Sequence, residues 1–297
     1  MKIGIVHTTL ADAAGHIVSP GDVARRAEAV GLDSLWASDH LAWDTPILDS
    51  LTALAAAAAV TTRLEVGTGV LQLALRNPAW AAKQIGTVQA IAGGRLQLGV
   101  GIGGAPVEEW AAAGVPVTER AARTDRVLEA LPRLLAGEET DVPEAGGARI
   151  RLQPPVPMPR VWIGGGSRAA LRRTARYGDA WLPAGVTPEQ VRDGNKELAA
   201  LAAEEGRAVP GVGVGVFAAL GAESGGMDRN ALAGMLSSAF GMTLEHAGRV
   251  AVGGDPREVA DRLAEYAVLG VEHVTVTSFG GSWERQCDLL AEARQLL

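Results

Sequence analysis

The chain has 297 residues, 47% of them hydrophobic and 21% charged, which excludes a disordered segment and leaves ample apolar material for a large core. Acidic residues outnumber basic ones 34 to 27, and the net charge of −7 argues against a general nucleic-acid or anionic-membrane surface. The single cysteine, Cys287, excludes an internal disulfide and a cysteine zinc cluster; no stretch has the length of a membrane span, and a cytoplasmic location is expected.

Lys2–His7 (KIGIVH) is the first predicted strand. Ser19-Pro20 opens a helix, with Ser as cap and Pro at the first helical position, and Gly31 stops it after Val30. Ser34–Ser38 reads as a second strand, Ile47–Thr61 as an Ala-rich helix and Leu64–Leu71 as a third strand. Asn77-Pro78 repeats the cap-plus-proline signal and starts a helix to Ile91. Gly93-Gly94 breaks it before a fourth strand at Leu96–Val100. Glu119–Leu135 is a helix, and 137–159 is a Pro- and Gly-rich excursion with at most a short hairpin. Val161–Gly164 is the fifth strand, Ser167–Tyr177 a helix and Asp179–Leu182 the sixth strand. Thr187-Pro188-Glu189-Gln190 is a capping box for a helix to Glu205, followed by a seventh strand at Val212–Leu220. Residues 221–248 read as an insertion with one short helix. Asp255-Pro256-Arg257-Glu258 is a second capping box, whose helix ends at Gly270. His273–Thr277 is the eighth strand and Trp283–Leu296 a closing helix.

Strands that alternate with helices pair in parallel through right-handed crossovers, and eight such units close. The expected fold is therefore α/β: a single (β/α)8 TIM barrel over residues 1–297, with insertions after strands 4 and 7. A doubly wound open sheet is the alternative.

Chemistry in such a barrel lies at the C-terminal strand ends. Gly164-Gly165-Gly166-Ser167 leaves backbone free beside a helix N-terminus, which suits a phosphate, although Ser167 also fits an ordinary N-cap. Gly99–Gly104 matches G-x-G-x-x-G, but it closes a fourth strand with no helix start behind it. Gly101 and Gly103 are read instead as room for a flat cofactor ring. His40, after Asp39, is a candidate proton carrier as readily as a packing group, and His7 shares that ambiguity. His16, His246 and His273 read as structural, and no cluster has the spacing of a metal site. Arg168, Arg172 and Arg176 share one helix face, either solvated or holding an anionic tail. Trp36, Trp43, Trp110 and Trp181 fall near the mouth and point to a flat or apolar organic substrate, with Trp43 and Trp181 its candidate contacts.

Four segments together resemble the bacterial luciferase-like superfamily. They are SDH at Ser38–His40, RLEVGTGVLQLALRNPAWAAKQIGTVQAIAGGRLQLGVGIG at Arg63–Gly103, VWIGGGS at Val161–Ser167, and VGGDPREVADRLAEYAVLGVEHVTV at Val252–Val276. That superfamily holds FMN-dependent monooxygenases and coenzyme F420-dependent oxidoreductases on a (β/α)8 barrel. The resemblance implies that His40, with Asp39 beside it, lies near the reactive ring and assists hydride chemistry. It implies a non-proline cis peptide at Gly69-Val70 backing that ring, and a cofactor phosphate at Gly164–Ser167. A sugar-phosphate dehydrogenase branch carries a Glu just after the strand-four Gly-x-Gly. This chain has Gly104 there and Glu108 out of register, which speaks against that activity and against a carboxylate in proton transfer. Coenzyme F420 is the preferred cofactor and FMN the alternative; the reaction is hydride transfer or monooxygenation of a small organic substrate. A non-catalytic flavin-binding barrel, and an NAD enzyme on an open sheet, are the other readings. A homodimer is a further expectation.

Overall fold

In the computed structural model, which describes residues 1–7, 11, 15–104, 106–221 and 227–297, the eight strands pair edge to edge. They are β1 (Lys2–His7), β2 (Ser34–Ala37), β3 (Glu65–Thr68), β4 (Leu96–Gly101), β5 (Arg160–Gly164), β6 (Ala180–Leu182), β7 (Gly211–Leu220) and β8 (His273–Ser278). All neighbours run parallel, and β8 returns to β1 from Lys2↔His273 to Val6↔Thr277, so the sheet closes. The open-sheet alternative is thereby excluded. The β6–β7 seam is short: it pairs at Gly211↔Ala180 and Val212↔Trp181 and is extended by a bridge between Ala184 and Gly215.

Side chains alternate across each strand. Ile3, Ile5, Leu98, Val214, Val216, Val274 and Val276 are buried in the large cluster that joins the barrel to its helices. The inward positions carry glycine or large aromatic and polar groups. A Cβ on Gly67 would lie 2.6 Å from the Trp36 ring, and one on Gly213 2.8 Å from Trp162. These glycines let two indoles fill the barrel. Trp36 and Trp162 meet edge-on at 6.0 Å, and both meet His273 edge-on.

Both indole N–H groups of that plug are paired, and so is one nitrogen of His273. Trp36 Nε1 donates to Ser34 Oγ at 2.8 Å, Ser34 Oγ lies 2.7 Å from His273 Nε2, and Trp162 Nε1 donates to Gln97 Oε1 at 2.8 Å. Burial, with the Lys2 ammonium adding to it, pushes the His273 pKa down to about 3, so the ring is neutral. Trp36 thus belongs to the barrel floor, not to its mouth.

Most caps form as the sequence predicts. Asn77 accepts from the Ala79 and Trp80 amides, and both capping boxes close. Ser19 is an exception: it takes the N-cap position of the helix Pro20–Ala29 without a side-chain hydrogen bond.

Three differences bear on the site. The third strand stops at Thr68, the chain bulges through a cis Gly69-Val70 bond, and pairing resumes at Leu71–Gln72 beside β4. After β4, Val107–Ala112 forms a short helix ahead of the helix Arg120–Leu135 and the hairpin Thr140–Asp141/Arg149–Ile150. After β7 come two helices, Arg229–Phe240 and Leu244–Val250, and a strand, Ala251–Gly254, paired to the top of β7. The sequence offers one short helix there, because AVGG before the second capping box is too brief to stand out. Residues 222–226 of that insertion lie outside the described residues. No helix among the described residues is long and apolar enough to cross a membrane.

Candidate active site

Val70 is the seat of the mouth. Leaving the bulge, its side chain rests on the layer of Trp36, Trp162, Ala180 and Leu182. A Cβ on Gly101 would fall 2.3 Å from Val70 Cγ2, and one on Gly164 2.9 Å from Val70 Cγ1. Gly101 and Gly164 therefore make room for Val70. Gly101 thus does not lie open to a ring itself, which corrects its expected role, and Gly164 is closed by Val70 where an open phosphate turn is expected. Gly69 has only ordinary contacts with Trp36. Above Val70 lies a cavity of about 250 Å³ lined by Ser38, Asp39, His40, Gly69, Gln72 and the Gly103-Gly104 turn.

Gly103, at φ +58°, is crossed by the Gln72 side chain, whose Oε1 would lie 1.7 Å from any Cβ there. Gln72 Nε2 donates to the Asp39 carbonyl at 2.7 Å, which fixes the amide and leaves Oε1 buried without a partner among the described residues. Two more buried groups near this turn, Trp110 Nε1 and Arg120 Nε, likewise have no partner among the described residues.

His40 is partly exposed and points Nδ1 at Glu109 Oε2, 3.2 Å away; the Glu109 side chain is wholly buried. The other Glu109 oxygen accepts from the Ala42 amide at 2.9 Å. The Trp43 ring lies 4.3 Å from the imidazole, so Trp43 shares the His40 side of the mouth, as expected. Glu109 was the missed residue. Pro106 opens the short helix, and the first turn after it carries both Glu108 and Glu109. Glu108 lines the neighbouring cavity of about 450 Å³ with Leu41, Trp43 and Ala112. A carboxylate therefore does reach His40, by a helix turn and not by the strand-end position occupied by Gly104. A proline followed by two acids was the available signal.

Asp39 has a different place from that expected of a catalytic group. Its carboxylate is fully buried and doubly bound by Arg76, at 2.6 and 2.7 Å, with Ser50 Oγ and the Gln72 amide donating as well. With both oxygens occupied, it clamps the β2 end to the chain beyond the bulge.

At the other side of the mouth, Gly165 (φ +102°), Gly166 and Ser167 are exposed, and a Cβ on either glycine would meet nothing closer than 3.4 Å. Ser167 Oγ accepts from the Ala170 amide, so the N-cap role is real and the turn stays open beside the helix Arg168–Tyr177. Trp181 is not at the mouth. It faces outward from β6, 2% exposed, donates to the Gly165 carbonyl at 2.8 Å and packs on Gly194. The outward phase of β6 removes it from the substrate contacts. On the arginine face, Arg168 pairs with Glu197 and Arg173 turns inward to Asp125. Arg172 and Arg176 are exposed, along a groove shared with Glu204 and Glu205. Burial lowers the His7 pKa and pushes the Cys287 thiol up to about 12, so that thiol is inert.

Residues 1–247 match the family model of the luciferase-like monooxygenases. A relative from Amycolatopsis mediterranei, an F420-dependent glucose-6-phosphate dehydrogenase, is 35% identical over 54% of this chain and 51% of its own length. The chain spans about half to two thirds of the length of the curated relatives it matches. Among solved structures, an F420-dependent secondary alcohol dehydrogenase with an F420-acetone adduct aligns at TM-score 0.82 and 17% identity, over 100% of this chain and 99% of that one. A riboflavin lyase with modified FMN aligns at TM-score 0.79 and 16% identity, over 99% and 91%. Identities this low show the shared barrel.

Proposed function

Because this chain belongs to the luciferase-like monooxygenase family, we propose that it is an oxidoreductase using coenzyme F420 in hydride exchange with a small organic substrate. The observation that carries this reading is the His40–Glu109 pair beside a cavity floored by Val70. The buried Glu109 carboxylate accepts from Nδ1–H of the imidazole, which leaves Nε2 to hold or release a proton at a substrate oxygen. Trp43 limits water on that side, and the Asp39–Arg76 clamp keeps the β2 end, and so His40, in place.

The residues fit the cofactor. Gln72 lines the cavity beside the Gly103-Gly104 turn, and its Oε1, without a partner among the described residues, suits the N–H donor at the edge of a flavin or deazaflavin ring. The open Gly165–Ser167 turn suits the phosphate. Bound F420 supplies a carbon that carries hydride. FMN carries the same edge and a phosphate and is the second reading, supported by the riboflavin lyase likeness. F420 is preferred because the Amycolatopsis relative and the secondary alcohol dehydrogenase are both F420-dependent.

Fluorescence titration with F420 and with FMN tests the reading. Saturable F420 binding that Ser167→Asp weakens supports it. Saturation by FMN alone transfers the site to the flavin, and no binding of either overturns it.

A further inference from the structure

The chain has three phenylalanines, and the fold brings all three together. Phe217 follows Gly211, Gly213 and Gly215 on the inward face of β7. Phe240 ends the helix Arg229–Phe240, and Phe279 follows the end of β8. The Phe217 ring lies 5.3 Å from Phe240, nearly stacked, and 6.3 Å from Phe279. Met227, Met235 and Met242 border the same cluster. Gly185 is pressed by this wall, since a Cβ there would meet Met242 at 2.9 Å and Phe217 at 3.1 Å.

The order of burial is the reverse of an ordinary core. Ala219, Leu232, Ala233, Leu236 and Ala247 are at most 5% exposed, while the three rings stay partly open and Phe240 is 53% exposed. Burial free energy grows with apolar area, so a core that serves only to fold covers its largest groups first. An aromatic face held open marks a place that something else covers. Phe217 is aimed inward on β7, and β7 stands four strands round from β3, across the mouth from the Val70 seat. A partner protein lying on the outside would not reach Phe217. The occupant is therefore a small molecule entering the mouth.

We propose that Phe217, Phe240 and Phe279 are the binding wall for the substrate, and that this substrate carries a flat aromatic or polycyclic ring system. The wall's relation to the reacting carbon rests on the oxidoreductase reading above; the wall itself does not.

The probe is 2-acetylnaphthalene, followed by ligand-observed NMR, with acetone and glucose 6-phosphate as small and polar controls. Phe240→Ser changes a half-exposed ring and Phe217→Leu keeps apolar volume; thermal melts check that both fold. Each is expected to weaken the naphthyl probe about tenfold, the scale of one aromatic contact, while F420 titration stays unchanged. No naphthyl binding to the wild type, or unchanged binding in both folded variants, overturns the wall. A dimer that Phe240→Ser dissociates without touching naphthyl binding also overturns it and assigns the face to a second copy. If the probe binds in a wall-dependent way but neither F420 nor FMN binds, the wall stands and the proposed function falls.

Discussion

Gly101→Ala tests the claim that the strand-four glycine exists for Val70. The new methyl would lie 2.3 Å from Val70 Cγ2, more than 1 Å inside ordinary contact. Val70 cannot retreat downward, because Trp36 and Trp162 fill the layer below it. It must rise into the cavity above, the place proposed for the cofactor ring. Overpacking of this kind costs about 1–3 kcal/mol, so cofactor affinity should fall roughly 5- to 150-fold. Adding Val70→Ala removes both γ-methyls and should restore most of that loss. Gly99→Ala is the contrast: its Cβ would lie 1.9 Å from the Thr68 carbonyl oxygen, a backbone atom. Val70→Ala should not rescue it, and the damage should appear as lost stability. The assay is a cofactor titration paired with thermal melts on the four variants. Wild-type affinity in Gly101→Ala, or a double variant no better than the single, would refute the reasoning.

Four further outcomes are expected. His40→Asn should bind cofactor normally and lose about 100-fold in kcat, the lower end of general acid–base effects, on a panel of alcohols, enones and imines; near-normal turnover returns His40 to a packing role. Asp39→Ala leaves the Arg76 guanidinium with Asp49 as its remaining carboxylate, and should cost about 3 kcal/mol in urea denaturation; a loss confined to kcat would instead make Asp39 catalytic. His273 has its folded pKa at about 3, below the ordinary 6.5, so the unfolded chain takes up the proton first. Its contribution is complete above pH 6.5 and is lost as pH falls toward 3, by up to about 1.4 kcal/mol per pH unit; His273→Asn should flatten urea midpoints between pH 7 and pH 5. Ser167→Asp should cost at least about 2 kcal/mol of cofactor binding, roughly 30-fold, because it sets a negative charge where the phosphate is proposed to sit; unchanged titration removes the site.

The barrel was readable because local signals repeat: Asn77-Pro78 and the two capping boxes punctuate the chain at the places where helices begin. What the sequence could not carry was side-chain phase. Trp43 and Trp181 look alike as aromatics just past strands, yet one lies beside His40 and the other faces a helix at Gly194. Glycines mislead for a related reason. Gly101 and Gly103 suggest close approach of a cofactor ring, but the groups that approach them in the structure are Val70 and Gln72 of the same chain. Asp39 was singled out for sitting next to His40. Adjacent residues on an extended segment point to opposite sides, and that turned it away from the mouth toward Arg76. Glu109 was hidden because its partner is 69 residues away.

On the floor, Ser34, Trp36, Gln97, Trp162 and His273 satisfy one another, as buried polar atoms in a folding core generally do. One layer higher, Gln72 Oε1, Trp110 Nε1 and Arg120 Nε are buried around a single glycine turn and have no partner among the described residues. Such atoms are costly to bury. Of the three, Gln72 lines the cavity above Val70, where its acceptor suits the proposed cofactor. The same logic runs through the apolar side, where small residues are covered and three large rings are left open. The proposed polar edge and aromatic wall lie on opposite sides of the barrel, an arrangement that would hold a flat, polar-edged cofactor against an apolar substrate.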